Sequence, residues 1–362
     1  MKVNEYVTLG RSGLRVSPLC LGTMTFGTEW GWGNNEDDSR AIFNRYIDSG
    51  GNFIDTADGY TNGKSEEMIG KFLKETNARD KIALATKFTF NGQPGDPNAG
   101  GNGRKNVYRA IESSLRRLQT DYIDLYWMHV WDMVTPLEEV MSSFDALVRA
   151  GKVRYIGLSD VPAWYVARAQ TLAEQLGRER IVALQLEYSL VERNIEREHI
   201  PAAQELGIAI CPWSPIAGGL LSGKYKRDGR HGGTQGRLDI QKASGGVLFN
   251  RETEKNWNII DILLDISKQI GRSAAEVALN WVATQPGVTS SIIGATKIAQ
   301  LDSNLSCLDF EIPGELRARL EKAGEPDPQA HPYAFYGPKL QARVTGGTVV
   351  RPWSGAKFRQ TI

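Results

Sequence analysis

The chain has 362 residues, with 43 basic against 42 acidic side chains and a formal net charge of +1. That balance excludes the electrostatic footprint of a nucleic-acid or anionic-membrane binder. A charged fraction of 23% beside 41% hydrophobic residues excludes a disordered chain, and the length suits two ordinary domains or one α/β barrel.

Residues Thr8 to Val16 alternate around Gly10 and Gly13 and predict a hairpin. Beyond it, short apolar runs alternate with helical patterns. Candidate strands lie at 19–22, 53–55, 82–88, 122–129, 153–158, 181–186, 208–213 and 290–293. Between the fourth and fifth, Leu137, Val140, Met141, Phe144, Leu147 and Val148 share one face of a 3.6-residue period, predicting a helix over 136–149. Thr135 and Glu138 read as a capping box around Pro136, and Gly151 as the stop. Strand, helix, strand in this tempo means right-handed parallel units. Eight of them predict a (β/α)8 TIM barrel with an N-terminal β-hairpin and long rim loops. The rival, a doubly wound open sheet, is weakened because no G-x-G-x-x-G follows a strand. The expected division is one domain, with the hairpin at 1–18, the barrel at 19–324 and a C-terminal tail at 325–362.

Three stretches break the tempo: 91–104, 222–250 and the Pro-containing tail. Long loops in a compact domain are functional or disordered. Gly218 to Lys224 nearly spells a phosphate-binding P-loop, but Tyr225 stands where Ser or Thr would reach Mg²⁺. Cys20, Cys211 and Cys307 are too scattered for a disulfide framework or zinc site. No apolar run approaches membrane-spanning length, and no secretory h-region follows Met1. The expectation is a cytoplasmic protein without metal, membrane or nucleic-acid partner; the sequence leaves its oligomeric state open.

Asp55, Lys87 and His129 sit at or near the ends of three consecutive candidate strands, and Tyr60 follows in the loop after the first. In a parallel barrel, strand C-termini meet on one rim, where active sites form. Each residue alone has an ordinary structural reading. Asp caps turns, Tyr packs, and His satisfies a core. A Lys late in an apolar strand needs a partner, however, because burying a bare ammonium is costly, and Asp55 is placed to supply it. An ammonium next to a phenol favours the phenolate, and a nearby imidazole can orient an oxygen. The set suits a polarised carbonyl, with a general acid and electrophilic stabilisation.

These residues and their neighbours resemble the aldo-keto reductase superfamily. The matching text is Gly51 to Tyr60, Ala85-Thr86-Lys87, Leu125 to His129, Ala150 to Ser159, Leu184 to Ser189, Pro212 to Pro215, Gly219 to Tyr225 and Ile292 to Lys297. Among its members the chain is most similar to bacterial and aryl-alcohol-dehydrogenase-like ones, which also resemble potassium-channel β subunits. The resemblance implies NADPH-dependent, reversible reduction of small carbonyl compounds, with NADPH/NADP+ as cofactor. Tyr60 would be the general acid, Lys87 and Asp55 its tuning pair, and His129 the carbonyl-orienting residue. Ser159, Asp160 and Gln185 would meet the nicotinamide carboxamide and Trp213 would stack on the ring. Ser214, Leu220 and Lys224 would cross the pyrophosphate, and Gly294, Thr296, Lys297, Gln300 and Asn304 would surround the adenosine phosphate.

Two positions depart from the family's common pattern. Asp160 stands where Asn is common, and a carboxylate cannot donate to the carboxamide oxygen. Trp213 stands where Tyr is frequent, and keeps a stacking face. Trp30, Trp32 and Trp131 are the candidate substrate pocket. An aromatic wall predicts apolar, aromatic carbonyl substrates over sugar phosphates. Tyr333, Phe335, Tyr336 and Trp353 allow the tail either to close part of that pocket or merely to pack on the barrel. Two other readings stand beside the reductase: a cofactor-holding redox sensor of the channel-β kind, and a barrel hydrolase or isomerase without nicotinamide.

Overall fold

All eight candidate strands form, each within one residue of its expected ends. The structure, a computed structural model, describes residues 1–227, 251–327 and 331–349. The hairpin β1 (Val7–Thr8) and β2 (Arg15–Val16) is followed by eight parallel strands: β3 (Leu19–Gly22), β4 (Phe53–Asp55), β5 (Ala83–Phe88), β6 (Ile123–Met128), β7 (Val153–Ser159), β8 (Ile181–Glu187), β9 (Ala209–Trp213) and β10 (Ser291–Ile293). They run in sheet order β10-β3-β4-β5-β6-β7-β8-β9. A parallel bridge between Ile210 and Val288 brings the ends together, and the Thr289 N–H donates to the Ile210 carbonyl at 2.8 Å. The chain is a (β/α)8 barrel.

Helices α1 (Glu36–Asp48), α2 (Lys64–Thr76), α3 (Arg104–Leu118), α4 (Leu137–Arg149), α5 (Ala163–Leu176) and α6 (His199–Leu206) fill the gaps between strands β3 and β9. Then come α7 (Glu254–Ile270) and α8 (Ala274–Ala283) before β10, and α9 (Ile298–Leu305) and α10 (Gly314–Ala323) after it. No helix among the described residues is long and apolar enough to cross a membrane.

The capping box expected at α4 does not form. Pro136 occupies the N-cap and no side chain caps it. Asp132 competes for the loop: it accepts from the backbone of Val134 and Thr135 and from the Thr135 hydroxyl at 2.6 Å. Gly151, at φ 73°, ends the helix as expected.

The pleat divides the strands into two cores, because successive side chains face opposite ways. Outward residues such as Ile54, Leu84, Tyr126 and Leu184 pack under the helices. Inward residues, among them Cys20, Phe53, Ala85, Leu125, Trp127, Ala183 and Cys211, fill the barrel together with Leu9 and Val16 of the hairpin. The hairpin thus plugs one end. At the other end the same inward parity aims Asp55, Lys87, His129, Ser159, Gln185 and Trp213 at the open rim.

The barrel interior leaves no slack at Gly157. A Cβ there would lie 2.3 Å from the buried Trp127 indole and 3.0 Å from the Ala183 carbonyl. Gly157→Ala should therefore destabilise the protein by about 1–3 kcal/mol, the usual cost of overpacking. Denaturant unfolding checks this; an unchanged midpoint would show that the interior can give way.

Candidate active site

Lys87 is fully buried, and its three ammonium protons are all engaged. They go to Asp55 Oδ2 at 2.5 Å, to the Thr56 carbonyl at 2.7 Å and to the Tyr60 phenol oxygen at 3.1 Å. Burial alone drives the amine toward neutrality, but the Asp55 carboxylate and the Tyr60 oxygen outweigh it and raise Lys87 above its ordinary value. Lys87 is an ammonium at neutral pH. The second Asp55 oxygen accepts from Gln185 Nε2 at 3.0 Å, so the carboxylate is held from opposite sides of the barrel.

Tyr60 opens a short turn (Tyr60–Gly63) in which Thr61 and Asn62 take positive φ, folding the phenol back over the rim. In its bond with Lys87 the phenol oxygen is the acceptor, so the phenolic proton is not consumed there. The His129 ring stands edge-on to it, 5.9 Å between centroids. Burial, reinforced by the Lys87 charge, pushes the imidazole well below its ordinary value, so His129 is neutral. Among the described residues its buried Nδ1 has no hydrogen-bond partner, so it can meet a polar ligand atom.

Asp55, Tyr60 and His129 line one cleft of about 1950 Å³ together with Trp30 and Trp32, and Lys87 lies buried behind them. Trp30 packs edge-on to Tyr60 at 6.3 Å and against Trp32 at 5.7 Å. Sequence reasoning missed Phe90, which lines the cleft half exposed, its ring 4.7 Å from that of His129. The signal was present, since an aromatic three residues beyond Lys87 must lie on the rim. Trp131 does not line the cleft but an adjoining hollow with Met133 and Pro162, edge-on to Trp164 and tilted against Tyr165.

The cleft runs from this corner along the ends of β7 to β10. Ser159, Asp160, Gln185, Trp213, Ser214 and Lys224 line it, followed by Gly294, Thr296, Lys297, Gln300 and Asn304. Asp160 accepts from Trp213 Nε1 at 3.1 Å, so the two departures from the family pattern touch each other. Desolvation among the cleft walls raises the Asp160 carboxyl to about 6 against the hydrogen bonds from Trp213 and Ser159, leaving it anionic at neutral pH. Ser214 accepts from the Gly218 N–H at 2.9 Å and shapes the following turn, where Gly219 has φ 100° and the Lys224 side chain crosses it. Leu220 is buried beneath that turn. At the far end, no side chain caps α9, which begins at the cleft with Lys297 as its N-cap, and Asn304 donates to the Gly294 carbonyl.

Among the described residues, the tail contributes nothing to the cleft lining. Tyr333 instead donates to Glu198 at the start of α6, with the Arg197 guanidinium over its ring. The described tail therefore follows the packing alternative; Trp353 and residues 228–250 lie outside the described residues.

The family model for the aldo/keto reductases matches residues 18–325. The chain belongs to the aldo/keto reductase family. It is similar to an uncharacterized oxidoreductase, YrpG, of Bacillus subtilis, with 39% identity over 86% of this chain and 93% of that protein. It is also similar to an NADP(+) aryl-alcohol dehydrogenase of Phanerodontia chrysosporium (33%, over 90% and 86%). A norsolorinic acid reductase of Emericella nidulans shares 35% identity over 84% of this chain and 77% of its own length. The aldo/keto reductase assignment makes this protein an oxidoreductase acting between carbonyl and alcohol.

The buried ion pair yields a stability test. Asp55→Asn would strand the Lys87 charge and should cost about 3–5 kcal/mol. Adding Lys87→Met should recover part of the loss, because both charges are then gone. Denaturant midpoints of the two variants decide: a double variant no more stable than the single one would mean that the pair is not what compensates Lys87.

Proposed function

We propose that this aldo/keto reductase is an NADPH-dependent carbonyl reductase, reversible as an alcohol dehydrogenase, with Tyr60 as general acid. The observation that carries the proposal is the charged, buried Lys87 donating to the Tyr60 oxygen beside a neutral His129. Tyr60 gives its proton to the carbonyl oxygen as that oxygen gains charge. The Lys87 ammonium, fixed by Asp55, stabilises the phenolate left behind. His129, unable to compete as an acid while neutral, offers a ring N–H that orients the oxygen.

The remainder of the cleft fits a dinucleotide. The Trp213 indole offers a stacking face, Gly294 leaves open space where a Cβ would stand, and the uncapped start of α9 beside Lys297 suits a phosphate. Ser159 and Gln185 would hold the carboxamide. Ser214 and Lys224 would hold the pyrophosphate, with Leu220 contributing backbone only. Thr296, Lys297, Gln300 and Asn304 would surround the 2′-phosphate. When bound, the cofactor supplies the hydride; the protein supplies the proton, the orientation and the exclusion of water.

Trp30, Trp32 and Phe90 make the substrate end apolar and flat, which favours aromatic aldehydes and ketones. The similarity to proteins named for aryl alcohols and for norsolorinic acid supports this class. Ordinary turnover on such an aldehyde separates the enzyme from the redox-sensor reading, for which slow turnover with tight nucleotide binding is expected.

Tyr60→Phe should lower carbonyl reduction by roughly 10²–10⁴-fold, the usual worth of a positioned acid, while tryptophan fluorescence still reports NADPH binding. Wild-type-like turnover would remove Tyr60 from the role. Lys297→Ala should weaken NADPH by roughly tenfold and leave NADH unchanged, as loss of one phosphate-pairing charge predicts. Equal dissociation constants for the two nucleotides in the unaltered protein would refute the 2′-phosphate site.

A further inference from the structure

We infer that Asp160 places a negative charge at the nicotinamide end of the cleft and stabilises the oxidised, cationic form of the bound nucleotide, and so favours hydride transfer from the reduced nucleotide to the carbonyl. The inference rests on the cofactor reading above. It begins from a backbone constraint. Asp160 directly follows the inward-facing Ser159 and takes the left-handed conformation, φ 46°, which Asp and Asn tolerate better than other side chains. Its N–H donates to the Gln185 carbonyl at 3.2 Å, its Oδ1 accepts from Trp213 Nε1 at 3.1 Å, and its Oδ2 lies 3.4 Å from the Ser159 hydroxyl. The carboxylate is thus held by Trp213 and Ser159, and its backbone by Gln185, the three residues that would surround the nicotinamide.

Among the described residues no cation forms an ion pair with it. The cation that acts on it through space is Lys87, whose three protons are already spent on Asp55, Thr56 and Tyr60. One face of Asp160 opens to the cleft, so the ring would meet a charge that no contact partner neutralises. The oxidised nicotinamide ring is a cation and the reduced ring is neutral. A nearby carboxylate therefore stabilises only the oxidised form, where a carboxamide side chain would treat the two nearly alike. In the favoured direction the hydride would leave the reduced nucleotide and form the carbinol C–H bond. The carbonyl π bond would break and its oxygen would take the Tyr60 proton. Two electrons would leave the nucleotide and two would reach the carbonyl.

Asp160→Asn removes the charge but keeps an oxygen that accepts from Trp213 and a side chain suited to the backbone, so the fold should persist. Dissociation constants for NADP+ and NADPH are measured by tryptophan fluorescence on the unaltered protein and on the variant. The Kd for NADP+ should rise roughly three- to tenfold, as expected for loss of a unit charge in a partly screened cleft, and that for NADPH should change by less than about twofold. Trp213→Phe, which removes the hydrogen bond and keeps the charge, should leave the ratio of the two constants in place. An unchanged ratio in Asp160→Asn, or an equal loss of the ratio in Trp213→Phe, would overturn the electrostatic role while leaving the cofactor reading intact. Failure of both nucleotides to bind the unaltered protein would overturn the cofactor reading itself, and this inference with it.

Discussion

A lysine ammonium with no exposed surface must be compensated by the protein around it, and the rim of this barrel is organised by how Lys87 is compensated. Asp55, one strand away, supplies the counter-charge, and Gln185 holds Asp55 from across the barrel. With a carboxylate and a backbone carbonyl taking two of its protons, the ammonium can direct the third only at Tyr60. The same charge helps keep His129 neutral. One buried ion pair thereby helps keep the imidazole neutral and holds an ammonium against the phenol oxygen.

The barrel makes this arrangement cheap to build. The two-residue period of a strand aims every second side chain inward, and parallel strands bring those side chains to one rim in chain order. Hydrophobic inward residues such as Phe53, Leu125 and Trp127 fill the lower levels, with the hairpin sealing the end beneath them. On β4, β5, β7 and β8 an inward position at or near the strand end carries a polar group, Asp55, Lys87, Ser159 and Gln185. Chemistry sits on strand ends, while the aromatic walls that select a substrate come from loops: Trp30 and Trp32 after β3, and Phe90 after β5. Selectivity can therefore change without disturbing the ion pair.

Much of this was legible in the sequence because strand periodicity is a local signal. The eight strand positions and the convergence of Asp55, Lys87 and His129 follow from parity and order alone. What was not legible depends on contacts distant in sequence. Thr135 has the chemistry of a helix cap, but Asp132 captures it. Trp131 is two residues from His129 in sequence, yet it packs against Trp164 and Tyr165 in a different hollow. Asp160 and Trp213 read as two separate departures, and only folding shows them as partners. Leu220 belongs to the turn beside the cleft with its side chain turned into the core.

The central claim is that Lys87 acts on the proton-transfer step through Tyr60 and not on nucleotide binding. Single-turnover oxidation of pre-bound NADPH, started by an aromatic aldehyde and followed by the loss of nicotinamide absorbance, measures that step alone. Comparing the unaltered protein with Lys87→Met, the account predicts a rate lower by roughly 10²-fold or more, within the range of positioned acid catalysis, with NADPH affinity essentially retained. An equal rate in the two proteins, or a loss explained entirely by weaker NADPH binding, would contradict it.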